Sequence, residues 1–231
     1  TLLDSMHVWE QVDQRFLREN RILPPAGISD RLKTMGIREA AAFFISEFAL
    51  DMTPEQVIAR IENLAAEEYR LRIPLKPGVL EVLDGLDARH IPYCIATATY
   101  DSLVEAALER LGIRHRFRFV LTCSQVGSTK AKPDIYLECA RRLGHAPREI
   151  LVAEDALHAI ETANSAGFFT FGVYEPTAAA DWQRIREISG GWGMDAAHTQ
   201  DEAANTGNGG DSNGDNGMGG GSGIVVIRNT R

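Results

Sequence analysis

Four side chains in this sequence have the type and spacing to do chemistry together. Thr97 follows the apolar run Tyr93-Cys94-Ile95-Ala96. Lys130 stands in the polar stretch Gly127-Ser128-Thr129-Lys130-Ala131-Lys132-Pro133-Asp134. Glu154 and Asp155 come directly after Ile150-Leu151-Val152-Ala153. A threonine hydroxyl and the amides that follow it can bind a phosphate oxygen. A lysine can neutralise both a phosphoryl group and a carboxylate beside it. Adjacent carboxylates suit Mg²⁺, a hard cation that takes oxygen ligands and keeps several waters. Each also has a plainer reading. A threonine ending a strand is commonly structural, a loop lysine is commonly solvated, with Lys132 competing for the role, and a Glu-Asp pair is commonly a surface charge. The pair here differs in that an apolar strand delivers it.

The elements that must position these residues alternate strand and helix from Val79 to Ile188. Strands are predicted at Pro92–Ala96, Phe119–Thr122, Ile150–Ala153 and Phe168–Val173, with helices at Leu103–Leu108, Ile135–Leu143 and Ala159–Ala166 between them. Such apolar strands, each separated by a helix, indicate a parallel sheet covered on both faces, a doubly wound α/β domain. Ligands of such sheets bind outside the carboxyl ends of the strands, where Thr97 and Glu154-Asp155 fall. Asp101 and Asp134 are read as helix caps rather than reactive groups. Residues Met6 to Arg72 carry helical periodicity only, and Thr53-Pro54-Glu55-Gln56 has the form of a capping box with proline in the first turn. The expected organisation is an α/β core over residues 1–12 and 73–188, a helical unit over 13–72, and a low-complexity tail over 189–231. Within that tail, Asn205–Gly223 is almost entirely Gly, Asn, Asp and Ser, a composition that predicts disorder, and Ile224-Val225-Val226-Ile227 is a short β-like run.

Composition narrows the function classes. The chain is 44% hydrophobic and 24% charged, enough to bury a core, and its net charge of −8 argues against a nucleic-acid partner. Cys94, Cys123 and Cys139 are scattered, with no CxxC pair, and read as free thiols in a reducing cytoplasm. No apolar run approaches the roughly 18 residues of a membrane span, and no signal peptide is evident. A monomer or weak dimer is expected. Thr1 rather than Met opens the sequence, so the natural start is expected further upstream.

The order strand-Thr, loop-Lys, strand-Glu-Asp-helix resembles the haloacid dehalogenase superfamily, in the branch that includes phosphoglycolate phosphatase and β-phosphoglucomutase. Thr1-Leu2-Leu3-Asp4-Ser5 looks like the end of its first motif, DxDGTLxDS. Thr97 matches the second motif, Lys130 the third and Glu154-Asp155 the fourth, and Pro77-Gly78-Val79 matches the segment returning from cap to core. The resemblance covers about residues 1 to 188. It implies a Mg²⁺-dependent hydrolase of a small phosphorylated metabolite, working through an aspartyl-phosphate. Thr97 and Lys130 would then be catalytic, Asp155 a direct metal ligand, and Glu154 a ligand or its neighbour. Asp4 would cap the first helix of the cap. The helical unit would correspond to the family's mobile cap, with Arg31, Lys33 and Arg38 as candidate substrate contacts. β-Phosphoglucomutases usually have a histidine where Trp9 stands, which favours a phosphatase over a mutase.

Neither aspartate of DxDG occurs in these 231 residues. In the family that strand lies in the middle of the sheet, and losing a covalent nucleophile costs on the order of 10⁴ to 10⁶ in rate. The chain as written is therefore expected to be nearly inactive. Two explanations compete. The favoured one places the strand and DxDG upstream of Thr1. The other has Ile224–Ile227 fold back to fill the central position, with Asn229 and Arg231 then falling near the lost aspartates. A fold retained without its nucleophile, as a binding or regulatory protein, is the rival class.

Overall fold

The structure, a computed structural model, describes residues 1–32, 35, 37–193 and 222–227. These divide into two compact units, one holding residues 1–4, 74–193 and 222–227, the other residues 5–32, 35 and 37–73. The helical unit comprises α1 (Met6–Glu19), α2 (Ile28–Leu32), α3 (Ile37–Phe48) and α4 (Pro54–Leu71). Its apolar spacing becomes a core of Val12, Phe16, Leu17, Phe44, Val57, Ile61 and Leu64, with the Phe16 and Phe44 rings 5.2 Å apart. The capping box forms as the sequence reading requires. Thr53 Oγ1 accepts from the Gln56 amide at 3.3 Å, and Gln56 Oε1 accepts from the Thr53 amide at 2.8 Å. Residues 5–12, expected in the core, group with this unit because α1 is one continuous helix. Asp4 does not cap it. Ser5 holds the cap position without a side-chain bond, and the Asp4 amide donates instead to the Pro74 carbonyl at 3.0 Å.

The other unit is a doubly wound α/β core. Its strands are β1 (Tyr93–Thr97), β2 (Val120–Thr122), β3 (Ile150–Glu154), β4 (Phe169–Val173), β5 (Gly191–Gly193) and β6 (Ser222–Ile227), in the order β2-β1-β6-β3-β4-β5. The helices are α5 (Val79–Ala88), α6 (Asp101–Arg110), α7 (Cys123–Val126), α8 (Asp134–Leu143), α9 (Leu157–Ser165) and α10 (Trp182–Ile188). Side-chain alternation sorts the strand residues to the two faces. Cys94, Ala96 and Val152 pack with Ile135, Tyr136 and Cys139 of α8 and Ala159 and Ala163 of α9. Tyr93 and Ile95 pack with Val79 and Leu83 of α5 and Val104 and Leu108 of α6 on the other. Near the sheet edge, α10 approaches β4 so closely that a Cβ on Gly172 would collide with the Ile185 side chain. All three cysteines are buried and free. Among the described residues, no helix is long and apolar enough to cross a membrane.

The middle of the sheet departs from the expectation. Strands β1 and β2, β3 and β4, and β4 and β5 pair in parallel, whereas β6 runs antiparallel to both its neighbours. Ile224–Ile227 therefore does fill the central position, supplied by the tail, and the expectation of an unstructured segment over 189–231 is corrected at β5 and β6. The backbone reason is direct: without β6, β1 and β3 would each present an unpaired row of amides and carbonyls. The direction of β6 also alters one expectation. Ser222 pairs with Thr97 and Ile227 with Ile150, so the chain leaves β6 at the opposite end of the sheet from Thr97 and Glu154. Asn229 and Arg231, expected near the lost aspartates, lie outside the described residues, as do 205–221.

Ending the chain at residue 193 should expose both inner strand edges. The truncated protein is expected to lose its cooperative thermal transition and to elute as aggregates in gel filtration. A soluble monomer with an unchanged thermal midpoint would show that β6 contributes nothing to the sheet.

Candidate active site

The parallel strands end together at one edge, and β1, β2 and β3 each end on a polar residue. Thr97 closes β1 and Glu154 closes β3, both fully buried. Thr97 Oγ1 accepts from the Thr99 amide at 3.0 Å, which turns the chain after the strand. The segment carrying Lys130 begins at α7, whose N-terminus is capped by Thr122. Thr122 Oγ1 accepts from the Gln125 amide at 3.3 Å, and Gln125 Oε1 accepts from the Thr122 amide at 3.3 Å. Gly127 ends α7 with φ +68°, a left-handed conformation that glycine adopts without strain.

That turn delivers Lys130 to the end of β3. Lys130 Nζ lies 2.5 Å from Glu154 Oε1, in a pair of which only 5% and 0% of the side chains are exposed. Lys132, the competing lysine, is exposed. The same Glu154 oxygen accepts from the Tyr136 hydroxyl at 3.0 Å. Glu154 Oε2 faces the Asp155 amide and the Thr1 hydroxyl, each at 3.3 Å. Asp155 Oδ1 accepts from the Thr1 hydroxyl at 2.9 Å, and Oδ2 lies 2.5 Å from the Thr1 nitrogen. Lys130 and Lys76 also act electrostatically on the buried Asp155 carboxylate. Burial first, and then the Glu154 carboxylate, push the Tyr136 phenol well above its ordinary value.

The structure thus brings Lys130, Glu154 and Asp155 into one contact network and puts Thr97 at the same sheet edge, across β6. Arg31 lies 4.5 Å over the Phe43 ring and 3.6 Å from Glu47, and Arg38, largely exposed, is 4.0 Å from Glu55. Lys33 lies outside the described residues. Asp101 and Asp134 are not caps. Tyr100 and Pro133 hold those positions, Asp101 accepts from the Gln125 side chain at 2.7 Å, and Asp134 accepts from Ser128 at 2.6 Å.

Sequence reasoning missed Tyr136, the Thr1 hydroxyl and a second buried ion pair between Lys76 and Glu175. Tyr136 could have been noticed as a hydroxyl on the apolar face of a helix, six residues after Lys130. Lys76 and Glu175 are 99 residues apart, and no local pattern joins them.

Among the described residues, no cluster of three or more His, Cys, Asp or Glu is placed to hold a metal. What the site offers is two adjacent buried carboxylates, all oxygen donors. That set fits Mg²⁺, which commonly takes one or two carboxylates and completes its shell with water and phosphate oxygens. It does not fit a structural zinc site, which needs four protein ligands of the Cys and His kind.

The class that this fold and site define is a doubly wound α/β protein with a buried lysine and paired carboxylates at its strand ends. Residues 1–167 match the haloacid dehalogenase-like hydrolases, and the chain belongs to that family. It is similar to hexitol phosphatase A of Escherichia coli, with 28% identity over 188 residues, 81% of this chain and 84% of the relative. A Thermotoga maritima structure named as a β-phosphoglucomutase superposes with a TM-score of 0.73 at 21% identity, over 83% of this chain and 88% of that one. CbbY of Rhodobacter sphaeroides in complex with phosphate superposes with a TM-score of 0.60 at 21% identity, over 76% and 82%.

The Lys76–Glu175 pair makes a pH prediction. Burial pushes the Glu175 carboxyl up, but Lys76 and the Thr177 amide and hydroxyl more than reverse this and hold it below its ordinary value. A depressed carboxyl adds stability above its unfolded value and loses it as pH falls through the folded one. Glu175→Gln should therefore lower the thermal midpoint most near neutrality, and the gap to wild type should close below about pH 4. A gap that stays constant from pH 7 to pH 3 would remove Glu175 from the acid response.

Proposed function

We propose that this chain is the body of a Mg²⁺-dependent phosphate monoester hydrolase acting on a small phosphorylated carbohydrate. The observation that carries it is the buried Lys130–Glu154–Asp155 constellation at the carboxyl ends of β1 and β3, with Thr97 at the same edge. Hexitol phosphatase A is the comparison that points to the substrate class. Asp155 and Glu154 would hold Mg²⁺, which would supply Lewis acidity that offsets charge on phosphorus. Lys130 carries a fixed positive charge beside the place where negative charge develops, and burial strengthens it there. The Thr97 hydroxyl and the amides after β1 are donors for the remaining phosphoryl oxygens. Hydrolysis proceeds by attack of an aspartate on phosphorus with departure of the alcohol, and water then releases inorganic phosphate. That aspartate belongs to DxDG, which is not among these residues. The helical unit acts as the cap, with Arg31, Lys33 and Arg38 as its candidate substrate contacts.

A second reading, a catalytically silent binding or regulatory protein, is favoured by one observation: β6 already occupies the central position of the sheet.

Both readings meet the same assay. The 231-residue chain, and a version extended by the gene's residues immediately before Thr1, are given p-nitrophenyl phosphate and a panel of hexose and hexitol phosphates. The extended protein is expected to turn over only with Mg²⁺, Asp155→Ala to fall to background, and the 231-residue chain to run about 10⁴ to 10⁶ slower. Undiminished turnover in EDTA would sink the metal assignment. An extended protein without turnover on any substrate would leave the binding reading in possession.

A further inference from the structure

Tyr136 sits in the first turn of α8, fully buried, with its ring 6.1 Å from that of Phe168 in the core. Phenylalanine would fill the same space without burying a hydroxyl, and a buried hydroxyl is costly unless it is bonded. Here its partner is Glu154 Oε1, the oxygen that also receives Lys130. Two donors from two elements, α8 and the segment before it, thus converge on one carboxylate oxygen. The second oxygen, Oε2, faces the Asp155 amide and the Thr1 hydroxyl, each at 3.3 Å. The final torsion of a glutamate is soft and roughly two-fold. A lysine on its flexible stem can follow the carboxylate as it turns, whereas a phenol fixed in the core cannot.

We infer that Tyr136 is a positioning residue: it locks the rotation of the Glu154 carboxylate, so that Oε1 stays with Lys130 and Oε2 stays beside Asp155, on the side where a divalent cation binds. The inference rests on the magnesium reading above and adds a specific device to it. Glu154 is divided, one oxygen anchoring the lysine and the other kept for the metal. Partners that orient a ligand from behind typically change metal affinity 10- to 100-fold when removed.

The test uses the full 231-residue chain, and its main readout does not depend on activity. Calorimetric titration with magnesium chloride is expected to show Tyr136→Phe binding at least about 10-fold more weakly than wild type. Tyr136→Phe keeps the packing against Phe168, so a purely structural role for the ring would leave that affinity unmoved. A second arm needs no metal. In EDTA, guanidinium midpoints of Tyr136→Phe, Glu154→Gln and the double variant are expected to be non-additive, because the hydroxyl acts through that carboxylate. A Mg²⁺ affinity within twofold of wild type, or an additive cycle, overturns the inference. If wild type itself takes up no Mg²⁺, the metal reading falls and the cycle alone decides whether Tyr136 holds Glu154.

Discussion

Everything at the functional edge of this protein depends on burying one ion pair, Lys130 with Glu154, among groups that satisfy it. Taking two charges out of water costs several kcal/mol each, and their attraction repays this only with good geometry and further hydrogen bonds. The sheet provides both. Glu154 is carried to its position by a strand whose residues are themselves packed between two helical layers, and Lys130 is brought opposite by the glycine-ended turn after α7. The Tyr136 hydroxyl shares Oε1 with the lysine, and the Asp155 amide and the Thr1 hydroxyl face Oε2 at 3.3 Å. Removing any element that holds these groups would leave a buried charge without compensation, which is why the site and the core cannot be separated energetically.

The same accounting explains the centre of the sheet. β1 and β3 are too apolar to end the sheet at water, and each needs a partner for its inner row of backbone groups. Ile224–Ile227 has the β-branched composition to serve. Yet its antiparallel direction presents Ser222, not a carboxylate, alongside Thr97. Backbone pairing is indifferent to which way the strand runs, whereas catalysis is not. A strand can therefore complete the hydrogen bonding of this fold without completing its chemistry.

The overall acidic balance and the buried Lys130 coexist because they act over different distances. The net charge of −8 is spread over a solvated surface and screened within about 8–10 Å. Lys130 acts inside the protein at contact distance, where screening is weak.

The sequence by itself determined the strand-helix alternation of the core, the all-helical unit with its capping box at Thr53, the buried free thiols and the three polar stations at Thr97, Lys130 and Glu154-Asp155. All of these follow from local periodicity or from residue type beside an apolar run, and local rules suffice for them. Only the tertiary structure decided that Lys130 and not Lys132 meets Glu154, since both sit in one polar loop and the turn at Gly127 chooses between them. It likewise decided that Asp101 and Asp134 bond to Gln125 and Ser128 rather than at helix caps, and that Ser5, not Asp4, holds the cap position of α1. Tyr136, Lys76 and Glu175 were not legible for the same reason. Their partners lie 18 and 99 residues away, and nothing in a one-dimensional pattern marks which buried charges will be brought within bonding distance. The direction of β6 was the least legible of all: four apolar residues specify a strand, but only the pairing with β1 and β3 says which way it runs.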